Sequence, residues 1–387
     1  MSNTVRILGT HGVPAAYGGF ETAAEQIGLH LVAQGWRVIV YCQAEGRGAI
    51  TNDLWRGLER VHIPEHRRGW LGTSSFDLKS IRHAVQHHDV CLTFGYNTGV
   101  FNALQRFHRI PNVINMDGME WTRARWGMAR QGILLANERF AARVGNHLIA
   151  DHPEIESYLL RQAPARKVAM ITYGAHAVHH APVGPVTDLG LTPGRYLTAI
   201  CRPIPENSLV EIVTAFSRRP RGQQLVVVGD HQPHSDEYHR RVAAAAGQEV
   251  VFPGAIYDPQ VVRALRFHSS AYLHGHTVGG TNPSLVEAMA AGNPVIAHDN
   301  VYNRWVGGPE QRYFSGMEDL AEALDTVLAS TAALASMGEA SRRRHGEEFT
   351  WEHVAGQYEA LLRRYVAPTS NEGAVGSAAP SASRESS

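Results

Sequence analysis

The sequence contains almost no lysine. Lys79 and Lys167 are the two lysines among its 36 basic side chains. Any phosphate site must therefore rely on arginine, on backbone N–H groups or on helix N-termini. The 36 acidic residues balance the basic ones, so the formal net charge is zero. This balance gives no sign of a nucleic-acid partner, and we expect none.

Cysteine is scarce, and long apolar runs are absent. Cys42, Cys91 and Cys201 each lie in or beside a short apolar run without paired spacing. This usage is typical of reduced thiols in a cytoplasmic protein. No window approaches the roughly eighteen apolar residues of a membrane span, and the N-terminus lacks the apolar stretch of a signal peptide. We therefore expect a cytoplasmic protein.

Apolar strand-like runs alternate with helical patterns in two separate sets. The first set extends from "VRILG" to "VAMITYG" and the second from "YLTAIC" to "NPVIAHD", with a Gly- and Pro-rich stretch between them. Such alternation predicts parallel sheets covered by helices, and the stretch between is typical of a linker. We predict an α/β protein with two Rossmann-like, doubly wound domains facing across a cleft. The predicted units are a first Rossmann-like domain at residues 1–180 and a second at 190–348. A final helix at 349–366 and a disordered tail at 367–387 follow them.

Glycine-rich loops follow a strand in each predicted domain. In "GTHGVPAAYGGFE" (9–21), Gly18 and Gly19 stand directly before a helical pattern, where free N–H groups can hold an anion. The alternative is a turn that needs glycine for its backbone angles. The dinucleotide fingerprint G-x-G-x-x-G is absent here, which argues against an NAD-dependent dehydrogenase. Because ligands bind beyond the carboxyl ends of parallel strands, we expect the two loops to face each other.

The second loop lies in "HGHTVGGTNPSLVEAMAAGNPVIAHDN" (274–300). Gly279 and Gly280 allow the backbone to approach a ligand, and a helix begins near Pro283. We place Glu287 in the first turn of that helix, where a carboxylate is stabilised even without a ligand. His274 and His276 alternate along a strand. No third metal ligand is apparent, so we predict no metal site and assign His276 to polar contacts.

Two further stretches place charged residues after strands. Arg202 follows "YLTAIC" and suits recognition of a phosphate, although a surface ion pair would also explain it. In "NMDGMEWTRARWG" (115–127), Asp117 and Glu120 lie beside tryptophans, a combination suited to a sugar ring. Trp126 would serve equally well to close the edge of the domain.

Together these strings resemble retaining glycosyltransferases of family 4, which have the GT-B fold. The resemblance covers most of residues 4 to 365. "GTHGVPAAYGGFET", "NMDGMEW", "IADHPEI", "YGA" and "HGHTVGGTNPSLVEAMAAG" are similar to a bacterial subgroup that includes rhamnosyltransferases of exopolysaccharide and O-antigen biosynthesis. The resemblance implies an acceptor-side N-terminal domain, a donor-side C-terminal domain and a last helix that crosses back to the first.

The resemblance also implies roles for single residues. It places the donor diphosphate near Gly18, Gly19 and Arg202, the ribose hydroxyls on Glu287, and the base beside Tyr257. Two positions depart from the broad family: Gly279 replaces a glutamate, and Asn207 replaces a lysine. The expected donor-binding residues are Gly18, Gly19, Arg202, Asn207, Tyr257, His276, Gly279, Gly280, Thr281, Asn282 and Glu287.

The implied reaction transfers a sugar from a nucleoside-diphosphate donor to a hydroxyl of a glycan or lipid-linked glycan, with retention. The expected donor is dTDP-rhamnose, and the transferred sugar is L-rhamnose. Arg202 would stabilise the leaving diphosphate, and Asp117, Glu120 and His11 would align the acceptor. We expect no cofactor and no required metal. We also expect peripheral contact with the inner membrane face, because the arginines of "HRRGW" (66–70) can contact anionic lipid. The alternative is that these arginines belong to a solvated loop.

Two other functions remain open at this point. A nucleotide-sugar epimerase can use the same two-domain architecture and would need no acceptor. A non-catalytic nucleotide-sugar-binding subunit of a polysaccharide assembly complex would use the cleft without turnover.

Overall fold

The computed structural model describes residues 3–16, 18–123 and 126–366. The predicted tail at 367–387 lies outside the described residues. Elements are numbered in chain order. The strands are β1 Thr4–Leu8, β2 Arg37–Glu45, β3 Thr51–Trp55, β4 Leu58–Glu65, β5 Val90–Phe94, β6 Asn112–Asn115, β7 His147–Ala150, β8 Val168–Met170, β9 Tyr196–Ile200, β10 Gln224–Val228, β11 Val250–Gly254, β12 Ala271–His274, β13 Val295–His298 and β14 Arg312–Phe314.

Helices separate most of these strands. They are α1 Gly19–Ala33, α2 Gly69–Ala84, α3 Ala103–Phe107, α4 Met128–Val144, α5 Pro153–Leu159, α6 Gly184–Thr187, α7 Leu209–Ser217, α8 Glu237–Ala244, α9 Pro259–Phe267, α10 Pro283–Ala290, α11 Val301–Gly307, α12 Met317–Leu328, α13 Thr331–Glu348 and α14 Trp351–Leu362. Short 3₁₀ turns lie at Gly99–Asn102, Glu120–Thr122, Ala165–Lys167, Pro205–Asn207 and Arg363–Tyr365.

The strands form two sheets, as the alternation predicts. The first has the order β3-β4-β2-β1-β5-β6-β7-β8 and is parallel except for the antiparallel pair β3 and β4. The second has the order β11-β10-β9-β12-β13-β14 and is parallel throughout. The strand order reverses beside β1 in the first sheet and beside β9 in the second, and ligands bind at such points.

The prediction missed two edge strands, and the interdomain stretch is more structured than a simple linker. β3 is mostly exposed and polar, and β14 has three residues, so neither carries the apolar run of a central strand. The stretch 174–194 contains α6, and its Val186 and Leu191 are buried against strand and helix residues of the second domain.

The final helix confirms the predicted crossover. The apolar residues of α14 recur at helical spacing, and Trp351, Val354, Tyr358 and Leu362 join the core that contains α1 and the first sheet. Burying each large apolar side chain contributes roughly 1.5–3 kcal/mol. The last helix of the chain is therefore held by the first domain.

No single helix among the described residues has the length and apolar character to cross a membrane. The consecutive helices α12 and α13 together are long and apolar enough to cross a membrane, by length and composition only. Their axes are bent by 102° relative to each other.

Glu359 fixes α14 through hydrogen bonds to the first domain. Its carboxylate accepts from Trp36 Nε1 at 3.2 Å, lies 3.0 Å from His30 Nε2, and pairs with Arg363 at 2.5 Å. Burial opposes the charge, but the bonds from His30, Arg363 and Trp36 prevail and lower the pKa of Glu359. The stabilisation is therefore present above the ordinary glutamate pKa and is lost as pH falls through the lowered pKa.

Replacing Glu359 by Gln should lower the free energy of unfolding by roughly 1–3 kcal/mol at about pH 7, because a charged acceptor is lost. The difference from wild type should shrink towards about pH 4. Denaturant unfolding at both pH values measures it. Glu352→Gln, at an exposed position of the same helix, is the matched control and should change little. A pH-independent difference would contradict this role of the Glu359 charge.

Candidate active site

The carboxyl ends of the two sheets face each other, and the two glycine-rich loops meet there as expected. A Cβ added at Gly19 would lie 3.1 Å from Pro283 Cγ. A Cβ added at Gly118 would lie 3.7 Å from the carbonyl carbon of Gly279. Gly18 has φ 103°, which glycine adopts without strain, and it directly precedes α1.

Two adjoining cavities occupy the space between the domains. The inner cavity has a volume of about 340 Å³, and the outer cavity about 760 Å³. The inner cavity is lined by residues that include Gly19, Asp117, Glu120, Arg123, Asp151, Arg202, Thr281 and Asn282. The outer cavity is lined by residues that include Gly18, Tyr257, Arg263, Arg266 and Glu287. Trp351 borders both, so the two cavities meet at this residue.

Glu287 lies in the outer cavity, but the predicted position within its helix was wrong. It occupies the second turn of α10 rather than the first. Its carboxylate is stabilised by Arg266, whose Nη2 lies 2.6 Å from Oε2. Arg266 is buried, and it was missed because it lies within an ordinary amphipathic helix, α9. The predicted base-side residue Tyr257 borders the same cavity and is 67% exposed.

Arg202 borders the inner cavity from the second domain. Its side chain is exposed and makes no ion pair with any residue that the structure describes. Asn207 does not face either cavity, in contrast to its predicted donor contact. It is buried, and its Nδ2 donates to the carbonyl oxygen of Arg202 at 2.7 Å. Asn207 therefore fixes the backbone from which the Arg202 guanidinium extends.

The loop 279–282 is shaped by a contact with the first domain. A Cβ at Gly280 would lie 2.1 Å from Asp151 Oδ1, so a larger residue there would have to displace the Asp151 carboxylate. The Thr281 N–H donates to Asp151 Oδ2 at 3.0 Å, and the Thr281 hydroxyl donates to the Asp151 carbonyl oxygen. Asn282 caps α10 by accepting the N–H of Ser284 at 3.0 Å.

Asp151 is a second residue at the cavities, after Arg266, that the sequence prediction missed. It directly follows β7, and its carboxylate oxygen Oδ1 is buried without a hydrogen-bond partner among the described residues. Burial, together with the negative charge of Asp117, raises the pKa of Asp151 to about 7. The sequence signal was a single acid at the end of "HLIAD", a pattern that does not distinguish a site residue from a surface residue.

Asp117 and Glu120 both border the inner cavity but differ in environment. Asp117 has φ 53°, which is strained for a residue with a side chain, and such strain is concentrated at functional sites. Its N–H donates to Asn115 Oδ1 at 2.9 Å. The Glu120 carboxylate contacts Arg123 Nε at 2.6 Å and Trp126 Nε1 at 3.0 Å. These bonds favour a supporting role for Glu120 over the predicted acceptor contact.

Arg123 forms an ion pair across the cleft. Its Nη1 lies 3.1 Å from Glu206 Oε2, in the 3₁₀ turn after β9. Although burial opposes the charge, the carboxylates of Glu120, Asp117 and Glu206 raise the pKa of Arg123. Arg123 therefore remains charged and links the acidic loop of the first domain to the second.

The predicted histidines have different surroundings. The rings of His274 and His276 stack with centroids 4.2 Å apart, so both point to one side as predicted. Burial, and then the charges of Arg123 and Arg202, lower the pKa of His276 to about 3, so the ring is neutral at neutral pH. His11 is exposed, hydrogen-bonds Gln43 and borders a separate cavity of about 170 Å³ in the first domain. It is not brought together with Asp117.

Asp151→Asn should change the pH dependence of stability. A carboxyl group with a raised pKa favours folding below its ordinary pKa, and this contribution is lost as pH rises through about 7. The thermal midpoint of Asp151→Asn relative to wild type should therefore rise between about pH 5 and about pH 8. Asp230→Asn, at an exposed position after β10, is the control. A difference that is constant over this range would contradict the raised pKa.

Comparison with known proteins gives a separate match for each half of the chain. Residues 2–176 match a family model described as a domain of unknown function (DUF1972). Residues 208–360 match a model described as glycosyl transferase-like. The chain is similar to alpha-maltose-1-phosphate synthase of Mycobacterium tuberculosis, with 26% identity over 295 residues, 67% of this chain and 74% of that protein. It is also similar to the MMP alpha-(1->4)-mannosyltransferase of Mycolicibacterium hassiacum, with 23% identity over 49% of each chain.

Solved structures share the architecture over nearly the whole chain. Sucrose-phosphate synthase from Thermosynechococcus elongatus superimposes with a TM-score of 0.76 at 20% identity, covering 94% of this chain and 98% of that one. HepE of Anabaena in complex with UDP and glucose gives a TM-score of 0.73 at 15% identity, covering 94% and 100%. The chain therefore has the GT-B fold of glycosyltransferases, and its C-terminal half matches a glycosyl transferase-like family.

Proposed function

We propose that this protein is a glycosyltransferase that moves a sugar from a nucleoside-diphosphate donor to a hydroxyl of a glycan or lipid-linked glycan in cell-surface polysaccharide biosynthesis. The observation that carries the proposal is the pair of adjoining cavities between the sheets. One contains Arg202, unpaired among the described residues, and the other contains the Glu287 carboxylate. The glycosyl transferase-like match of residues 208–360 supports the same reaction class.

The donor would extend through both cavities. The nucleoside would occupy the outer cavity, with the ribose hydroxyls donating to Glu287 and the base beside Tyr257. The diphosphate would lie near Gly18, Gly19 and Arg202, because backbone N–H groups at a helix start and a guanidinium both favour negative charge. The sequence has almost no lysine, which is consistent with this choice of groups.

Stabilisation of the leaving diphosphate would be the main catalytic contribution. Preorganised donors that face a developing negative charge lower the barrier, since they need no reorganisation during the reaction. Asn207 holds the backbone of Arg202, and Asp151 holds that of the loop 279–282. Both groups would therefore be positioned before the donor arrives. Asp117 would align the acceptor hydroxyl at the inner cavity.

Retention of configuration and the rhamnosyl donor belong to the proposal as well. They are supported by the motif resemblance to the bacterial rhamnosyltransferase subgroup. HepE of Anabaena, a relative in fold, was solved with UDP and with UDP-glucose, which supports a nucleotide-sugar donor in this architecture. Thermal-shift comparison of dTDP, UDP and GDP sugars tests the base directly: dTDP-rhamnose should give the largest shift, and a larger shift with UDP- or GDP-sugars would contradict the proposed donor.

Glu287→Ala should weaken nucleotide binding by about 10- to 100-fold, because a hydrogen bond to a charged acceptor is lost. Isothermal titration with dTDP, UDP or GDP measures the loss. Glu287→Gln keeps the side-chain volume and an oxygen that can accept a hydrogen bond from Arg266. It therefore separates the loss of the negative charge from the loss of the partner of Arg266. Glu339→Ala, at an exposed position of α13, is the control. Unchanged affinity in both Glu287 variants would remove Glu287 from the site.

Donor consumption with and without a saccharide acceptor tests the reaction class. A transferase consumes donor at an acceptor-dependent rate, an epimerase converts it without acceptor, and a binding subunit leaves it unchanged. In the same assay, Asp117→Asn should retain nucleotide affinity but lower transfer by about 100-fold or more, the scale expected for a lost alignment contact. An equal loss of nucleotide binding would contradict an acceptor-side role for Asp117.

A further inference from the structure

An apolar cavity of about 610 Å³ opens on the surface of the first domain, outside the interdomain cleft. The start of α2, the 3₁₀ turn Gly99–Asn102 and helix α4 form its walls. Trp70, Val100, Ile133 and the ring of Trp126 line it. Trp70 is 65% exposed and Ile133 61% exposed, and Leu71 and Met128, in the same two helices, are exposed as well.

Clustering distinguishes these side chains from ordinary exposed apolar residues. Single exposed apolar side chains are common on soluble proteins, but a contiguous group marks an interaction surface. We define the α2–α4 face as residues 66–71, 99–109 and 126–143. A tryptophan at its rim is well suited to a membrane interface, where one part of the ring contacts apolar chains and the N–H meets headgroups.

The charges of the α2–α4 face have one sign. The exposed charged side chains in its three segments are all arginines, namely Arg67, Arg68, Arg106, Arg109, Arg130, Arg139 and Arg143. The acid in these segments, Glu138, is 2% exposed. Glu120, which also lines the cavity, is neutralised by Arg123 at 2.6 Å. The whole chain has zero net charge, whereas residues 66–145 contain eleven arginines and lysines against five acids.

We propose that the α2–α4 face binds an anionic lipid bilayer, with Trp70, Leu71, Met128 and Ile133 entering the headgroup region and the arginines contacting anionic headgroups. A second copy of this chain is a poorer occupant, because two faces of the same charge repel each other. Arginines near an anionic surface each add to binding, and partly inserted apolar side chains add to it independently.

The position of this face relates it to the cleft. Asn97 and Glu120 line both the apolar cavity and the inner cavity. A molecule held in the bilayer surface at the α2–α4 face would therefore present its polar end beside Asp117. Bilayer binding itself does not depend on the proposed sugar transfer and can be tested without donor or acceptor.

The test is co-sedimentation of the full chain with vesicles of phosphatidylcholine alone or of phosphatidylcholine with phosphatidylglycerol. Wild-type protein should sediment with the anionic vesicles, and binding should fall as salt rises. The double variant Arg67→Ala/Arg68→Ala should bind about 30-fold more weakly. Arg240→Ala/Arg241→Ala, an exposed arginine pair on α8 of the other domain, is the matched control and should bind as wild type does.

A second variant tests the apolar contribution. Trp70→Ser/Ile133→Ser should also lose vesicle binding, whereas Val301→Ser, at an exposed apolar position of α11, should not. Nucleotide binding should stay at the wild-type level in all these variants, which separates this inference from the proposed function. Absence of wild-type binding, equal binding to neutral vesicles, or unaffected binding in both surface variants would overturn the proposal. Self-association that the Trp70→Ser/Ile133→Ser variant abolishes would overturn it in favour of a dimer surface.

Discussion

The contact between Asp151 and the loop 279–282 is the interaction on which the site depends. A buried carboxylate of the first domain accepts the Thr281 N–H of the second at 3.0 Å. The same carboxylate lies where a Cβ at position 280 would be, so glycine there leaves it undisturbed. Burying a carboxylate with incomplete hydrogen bonding is unfavourable, and the raised pKa of Asp151 reflects that cost. The arrangement persists because two packed sheets and the crossing helix α14 hold the domains together.

A second polar link acts beside the first. Arg123 and Glu206 pair across the cleft while Arg123 also holds Glu120. The first domain contributes the acids Asp117 and Asp151 to the inner cavity, and the second domain contributes Arg202. This separation suits a donor whose diphosphate is anionic and an acceptor that offers hydroxyl groups. In the outer cavity, Glu287 and Arg266 form another ion pair.

The α2–α4 face extends this organisation to the exterior. On this face the exposed charged side chains are arginines around an apolar cavity, whereas Asp117 and Glu120 of the same domain border the cleft. The zero net charge of the chain conceals this distribution. A protein that draws its acceptor from a membrane would need both features on one domain, an acidic inner surface for hydroxyl groups and a basic apolar surface for lipid.

The sequence alone determined the two-domain α/β architecture, because buried parallel strands need continuous apolar runs and their helices need apolar residues at helical spacing. It also pointed to the glycine-rich loops, Arg202, Asp117 and Glu287, which the structure places at the two cavities between the domains. Only the tertiary structure decided that Asn207 supports a backbone, that His11 lies apart and that Asp151 and Arg266 belong to the site. Those outcomes depend on contacts between residues far apart in the chain, such as Asp151 with Thr281, and local sequence patterns contain no information about such distances.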